Sequence, residues 1–116
     1  MFRFENLEIW KLAIDYAKDC YNIAATFPNN ERFALADQLR RATISISNNI
    51  VEGSATTSAR FRNHLDISIG SALETVNIIL FAQEQNYLNK NKKDEMYEKA
   101  EKLIRKMRSF KRTLND

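Results

Sequence analysis

Glycine, proline, cysteine and histidine are all scarce in this chain: two, one, one and one among 116 residues. A many-stranded β fold needs turn residues every ten or so positions, so the lack of glycine and proline excludes one. A single cysteine, Cys20, excludes an internal disulfide and a cysteine-based zinc site, and it fits a reducing, cytoplasmic setting. The single histidine, His64, has Phe61 three residues before it, so the Glu-x-x-His motif of di-iron bundles is missing. A catalytic thiol at Cys20 would need His64 as its base; Cys20 reads more simply as a small buried apolar residue. Two isolated glycines cannot form a phosphate-cradling loop. The sequence implies no cofactor and no metal. The opening MFRFENLEIW is interrupted by Glu5 and Glu8 and does not read as a signal peptide. No uninterrupted apolar run approaches ~18 residues, so no membrane partner is expected.

What the chain does have is helical periodicity. With 44% hydrophobic and 28% charged residues, its composition suits one compact domain over residues 1–116. Four amphipathic segments are expected. The first, 6–26, carries Leu7, Trp10, Ile14, Ala17, Tyr21 and Ala24 as its core stripe and ends at Pro28, with Asn30 capping the next. The second, 31–52, carries Leu35, Leu39, Ala42, Ile46 and Ile50, and Gly53 is expected to stop it in a left-handed conformation. The third, 59–87, is capped by Thr57 or Ser58 and carries Phe61, Leu65, Ile69, Ala72, Val76, Leu80, Gln83 and Tyr87. Asn89 to Asn91 breaks it, and Asn91 with Asp94 resembles a capping box for the fourth helix, whose stripe is Met96, Ala100, Leu103, Met107, Phe110 and Leu114. Short connections make this an all-α, up-down-up-down four-helix bundle.

Three of the helices carry apolar residues off these stripes: Ile9, Leu12, Tyr16, Cys20 and Ile23 on the first; Phe33, Ile44 and Val51 on the second; Ile67, Ile78 and Phe81 on the third, with Gly70 and Ser71 between them. Each large side chain left in water forgoes about 1.5–3 kcal/mol of burial. The surplus points to a homo-oligomer; the competing reading is a squat bundle whose helices bury wider faces internally.

Charge is uneven. Residues 90–116 carry ten Lys or Arg against five acids, and residues 1–89 carry eight against ten, for a total of +3. Lys102, Arg105, Lys106, Arg108, Lys111 and Arg112 have no acid among them and can contact phosphates, with Arg40 and Arg41 as further candidates. The plainer reading of such a run is a solvated helix face. Phe110 lies on the core stripe, so aromatic interleaving is poor. A second constellation, Arg41, Ser45, Asn48, Asn49 and Glu52 on helix 2 with Glu74 on helix 3, reads as a polar network that fixes register or subunit docking. The alternative, Glu52 and Glu74 as an acid–base pair, lacks a histidine partner.

FENLEIWKLA, then FPNNERFALADQLRRATISISNNIVEG, then Gly70-Ser71-x-x-Glu74 resemble the 23S rRNA intervening-sequence protein family, also called S23. The accessory variability proteins of diversity-generating retroelements look like relatives. The most specific piece is Gln38-x-Arg40-Arg41 followed by Asn49-Ile50-Val51-Glu52-Gly53, where the family usually reads Asn-Ile-Ala-Glu-Gly. The resemblance implies a homopentameric ring of bundles, a nucleic-acid-binding role, RNA above all, and no enzymatic activity. Many relatives carry a basic loop after the Glu-Gly pair; here that loop is SATTSAR, with Arg60 its single cation. A protein-interaction scaffold that binds no nucleic acid is the other function the sequence allows.

Overall fold

The computed structural model describes residues 1–115. Four helices make up almost all of it: α1 (Glu8–Ala24), α2 (Leu35–Ser54), α3 (Ser58–Glu84) and α4 (Lys90–Arg112), with short 3-10 turns at Arg3–Asn6 and Asn29–Glu31. No strand occurs among the described residues. The helices form a four-helix bundle in which each packs on its neighbours in sequence and α1 closes the ring against α4. The cross-links show the antiparallel alternation. Glu8 meets Lys106 and Asp19 meets Lys99 between α1 and α4, while Asp66 meets Lys111 between α3 and α4. Between α2 and α3, Ser45 meets Ser71 and Asn49 meets His64.

The expected stripe on α2 and most of that on α4 line the core: Leu39, Ala42, Ile46 and Ile50 are buried, as are Met96, Ala100, Leu103, Met107 and Leu114. On α1 the phase differs. The buried set is Ile9, Ala13, Tyr16, Ala17, Cys20, Ile23 and Ala24, whereas Trp10 and Ile14 sit at the margin and Tyr21 is 43% exposed. Both α1 stripes repeat at three and four residues, so period alone does not select between them. The core takes Ile9, Tyr16, Cys20 and Ile23 from the second set, adds Ala13, and keeps Ala17 and Ala24 of the expected one; Cys20 and the alanines let α1 approach the core closely. Trp10 instead packs edge-on against Phe4, 5.1 Å between ring centres.

On α3 the seam runs Phe61, Leu65, Ser68, Ala72, Thr75, Ile79 and Ala82, all buried. Two hydroxyls hide it from a count of apolar residues. Ser68 Oγ donates to the Ile46 carbonyl at 2.8 Å, and Thr75 Oγ1 donates to the Ala72 carbonyl at 2.6 Å. Each hydroxyl is thereby satisfied and fits an apolar core. Leu80, expected inside, is 37% exposed, and Ile78, expected outside, is buried.

Four helix ends also differ from expectation. Gly53 stays within α2 and has no positive φ. Its role is spatial: a Cβ there would lie 2.6 Å from Phe61 Cδ1 and 2.9 Å from His64 Cβ. The left-handed residue is Asn86 (φ 61°), which ends α3 with Tyr87 N–H donating to the Ala82 carbonyl at 2.9 Å, a Schellman-type closure. Asn89, not Asn91, caps α4 by accepting from the Lys92 amide at 2.8 Å, and Asn30 lies in a 3-10 turn without capping α2, which begins after Ala34. Thr57 caps α3 as expected.

Counted as a helix rather than as an unbroken apolar run, α3 is long and apolar enough to cross a membrane, and 44% of that stretch is buried inside the bundle. Its apolar content serves two faces: the core seam, and an outer face on which Ile67 and Phe81 are 53% and 47% exposed. Of the surplus apolar residues, most of those on α1 are consumed by the core, and Phe33 (84%), Ile44 (37%), Ile67 and Phe81 remain in the open.

Candidate nucleic-acid interface

α4 divides its cations between two sides. On the side toward α1, Lys106 pairs with Glu8 at 3.2 Å and Lys99 with Asp19 at 2.6 Å. The Asp19 hydrogen bond holds the Lys99 ammonium above its ordinary pKa. On the side toward α3, Arg105, Arg108 and Arg112 line a groove of about 680 Å³ with Leu73, Tyr97 and Ile104. All three arginines are exposed. Among the described residues no carboxylate pairs with any of them. Lys102 is also exposed and has no carboxylate partner among the described residues, but it lies on the α1 side and lines a pocket with Asp15 and Asp19. Lys111 pairs with Asp66 at 2.6 Å. At the end of the bundle a second groove, of about 700 Å³, shares Arg108 and Arg112 and adds Arg62 and Lys111. Arg62 donates to the Leu114 carbonyl.

The remaining sequence-derived candidates are engaged elsewhere. Arg40 donates to the Arg32 carbonyl at 3.0 Å, and Arg41 pairs with Asp37 at 2.9 Å, one turn away on α2. Both line a groove of about 520 Å³ with Tyr21, Ile44, Asn48 and Glu52.

The polar network is smaller than the sequence suggests. Ser45 and Ser71 hydroxyls share a hydrogen bond of 2.8 Å between α2 and α3. The Asn49 side-chain amide donates to the Ser45 carbonyl at 2.9 Å, and its oxygen meets His64 Nδ1 at 3.0 Å. Asn48, Glu52 and Glu74 are exposed and make no side-chain hydrogen bond among the described residues. The ladder is thus Ser71–Ser45–Asn49–His64, and it fixes the sliding register of α2 on α3. Sequence reasoning missed Ser71 and His64 as its partners, because Ser71 reads as a small residue on the outer apolar stripe and His64 enters only as a candidate metal ligand or base. It also missed Tyr97, whose signal is its spacing: Tyr97, Glu101, Arg105, Arg108 and Arg112 recur every three or four residues on one face.

The described residues build a small antiparallel four-helix bundle with an arginine strip along its last helix, and that sets the fold class. Within that class the family is defined by sequence. The sequence model of the 23S rRNA-intervening sequence protein family matches residues 5–109, nearly the whole bundle, and the chain belongs to that family. Among curated proteins none matches the chain.

Proposed function

We propose that this chain is a non-enzymatic homo-oligomer that binds RNA through the arginine side of α4. The observation that carries the reading is the contrast along one helix. Lys99 and Lys106 are neutralised by α1 carboxylates, whereas Arg105, Arg108 and Arg112 have no carboxylate partner among the described residues and share one strip. Arginine offers a planar, bidentate fork to phosphate oxygens, and unpaired arginines give up no intramolecular partner on binding. The family's description links its members to an insertion in 23S rRNA, which favours a structured RNA as partner. The acid–base alternative is weakened by placement: Glu52 lines the groove on α2, and Glu74 does not.

Assembly rests on the outer face of α2 and α3, where Ile44, Ile67 and Phe81 are exposed and Gly70 has nothing within 4 Å of a Cβ. A second copy laid there would bury these side chains, with Gly70 admitting a close helix. The pentameric count comes from the family resemblance. The buried free thiol of Cys20 suits a reducing compartment such as the cytoplasm.

The test is RNA retention by the wild-type protein at about 50 mM and about 200 mM salt, where three phosphate contacts predict a loss of at least about tenfold. No retention at the lower salt would favour a protein-interaction scaffold. That second reading draws on Phe33, 84% exposed and held beneath the Arg32 guanidinium at 5.1 Å, and on Arg60 as the single cation in the stretch from Ser54 to Arg60 that joins α2 to α3.

A further inference from the structure

The α3–α4 groove has two chemically different ends. Toward its C-terminal end lie Arg105, Arg108 and Arg112; toward the other lies Tyr97, 41% exposed. The Tyr97 hydroxyl has no hydrogen-bond partner among the described residues, so the side chain is not held there by the fold's own polar contacts. Leu73, 50% exposed, and Ile104 line the same groove. Fifteen residues separate Tyr97 from Arg112, about 22 Å along a helix at ~1.5 Å per residue. At the ~3.4 Å spacing of stacked nucleotides that is roughly six of them.

We propose that this groove is a binding site for single-stranded nucleic acid, with one base stacked on Tyr97 and the phosphates that follow on Arg105, Arg108 and Arg112. The proposal rests on the RNA-binding reading and deepens it. A duplex keeps its bases paired and stacked inside, so it would use the arginines and leave Tyr97 and Leu73 idle. A single strand exposes base faces, and an aromatic ring beside a cationic track is the surface such strands bind. Glu101 also lines the groove, between Tyr97 and Arg105. Its carboxylate repels phosphate at that level, which confines the phosphate track to the arginine half and leaves the tyrosine half to a base.

The test is fluorescence anisotropy with two labelled probes, a twelve-residue oligouridine and an RNA hairpin of similar charge whose stem is fully paired and closed by a non-nucleotide linker. Tyr97→Ala is expected to weaken oligouridine binding about tenfold with the salt slope unchanged, and to leave hairpin binding unaltered. Tyr97→Phe keeps the ring and is expected to bind like the wild type. Tyr97→Gln, a good helix former with no ring, repeats the loss if the alanine variant folds poorly. Equal losses for both probes, or no loss for oligouridine, would overturn the stacking site. Wild-type binding to the hairpin but not to oligouridine would overturn the site and leave the RNA-binding reading standing; binding to neither overturns both.

Discussion

Tyr16 on α1 donates a hydrogen bond of 2.8 Å to Thr75 on α3, across the diagonal of the bundle. The direction follows from Thr75, whose hydroxyl proton already goes to the Ala72 carbonyl at 2.6 Å. α1 and α3 share no backbone contact, so this buried bond is a direct polar link between opposite helices. Tyr16→Phe is expected to cost about 1 kcal/mol. Thr75→Val is expected to cost more, about 1–3 kcal/mol, because it strands the tyrosine hydroxyl in the core. Urea denaturation of both single variants and the double variant checks this: the double variant should lose less than the sum.

Gly53 and Gly70 should respond oppositely to alanine. At Gly53 a Cβ would meet Phe61 at 2.6 Å and His64 at 2.9 Å, so Gly53→Ala is expected to lower stability by about 1–3 kcal/mol through overpacking. At Gly70 nothing lies within 4 Å, and Gly70→Ala should stabilise the subunit by about 0.5–1 kcal/mol through helix propensity. Chemical denaturation at a concentration where the subunits are dissociated reads both.

Burial pushes the Cys20 thiol up to about 12 from 9.0, and burial pushes the neighbouring Tyr16 hydroxyl up as well. Both groups therefore hold their protons in the native state at pH values where the unfolded chain loses them. Their contribution is fully present below the unfolded value of 9.0 for Cys20 and is lost as pH rises toward about 12. Melting temperature should fall steadily between these limits. Cys20→Ala should flatten the decline, by at most about 1.4 kcal/mol per pH unit for one group. A slope unchanged in that variant would contradict the assignment.

Ile67→Glu and Phe81→Glu place charges on the outer face of α3, where the wild-type side chains are 53% and 47% exposed. Neither should unfold the subunit, since surface substitutions of this kind usually change stability by about 0.5 kcal/mol or less. Each is expected to lower the mass measured by sedimentation. A wild-type protein that sediments as a folded single subunit at micromolar concentration would contradict assembly through this face.

The bundle was legible because α4 offers a single apolar stripe, and on α2 the fuller of two apolar sets, Leu39 to Ile50, is the one the core uses. α1 was partly misphased because two stripes share the same period, and tertiary packing chose Ile9, Tyr16, Cys20 and Ile23 while keeping Ala17 and Ala24 of the expected one. On α3 the expected stripe holds from Phe61 to Ala72 and drifts outward at Leu80, because Ser68 and Thr75 are core residues with polar side chains, whose backbone partners no residue count reveals. Gly53 looked like a helix stop because conformational freedom is glycine's commonest use near a helix end; its tolerance of a close neighbour depends on where Phe61 lies. At the candidate interface, the run of cations from Lys102 to Arg112 was plain, yet its division was not. Which of them are neutralised depends on Glu8, Asp19 and Asp66, which come close only once the bundle forms.

That division is tested most directly by comparing the salt dependence of RNA affinity for the wild type, for Arg105→Ala/Arg108→Ala/Arg112→Ala and for Lys99→Ala/Lys106→Ala. Each lost phosphate contact flattens the slope of log K against log salt by about 0.7–0.9. The triple arginine variant is expected to lose about two units of slope and most of its affinity, while the lysine variant keeps both near wild-type values. Equal losses in the two variants, or binding that survives removal of the arginines, would contradict the assignment of the RNA surface to the α3 side of α4.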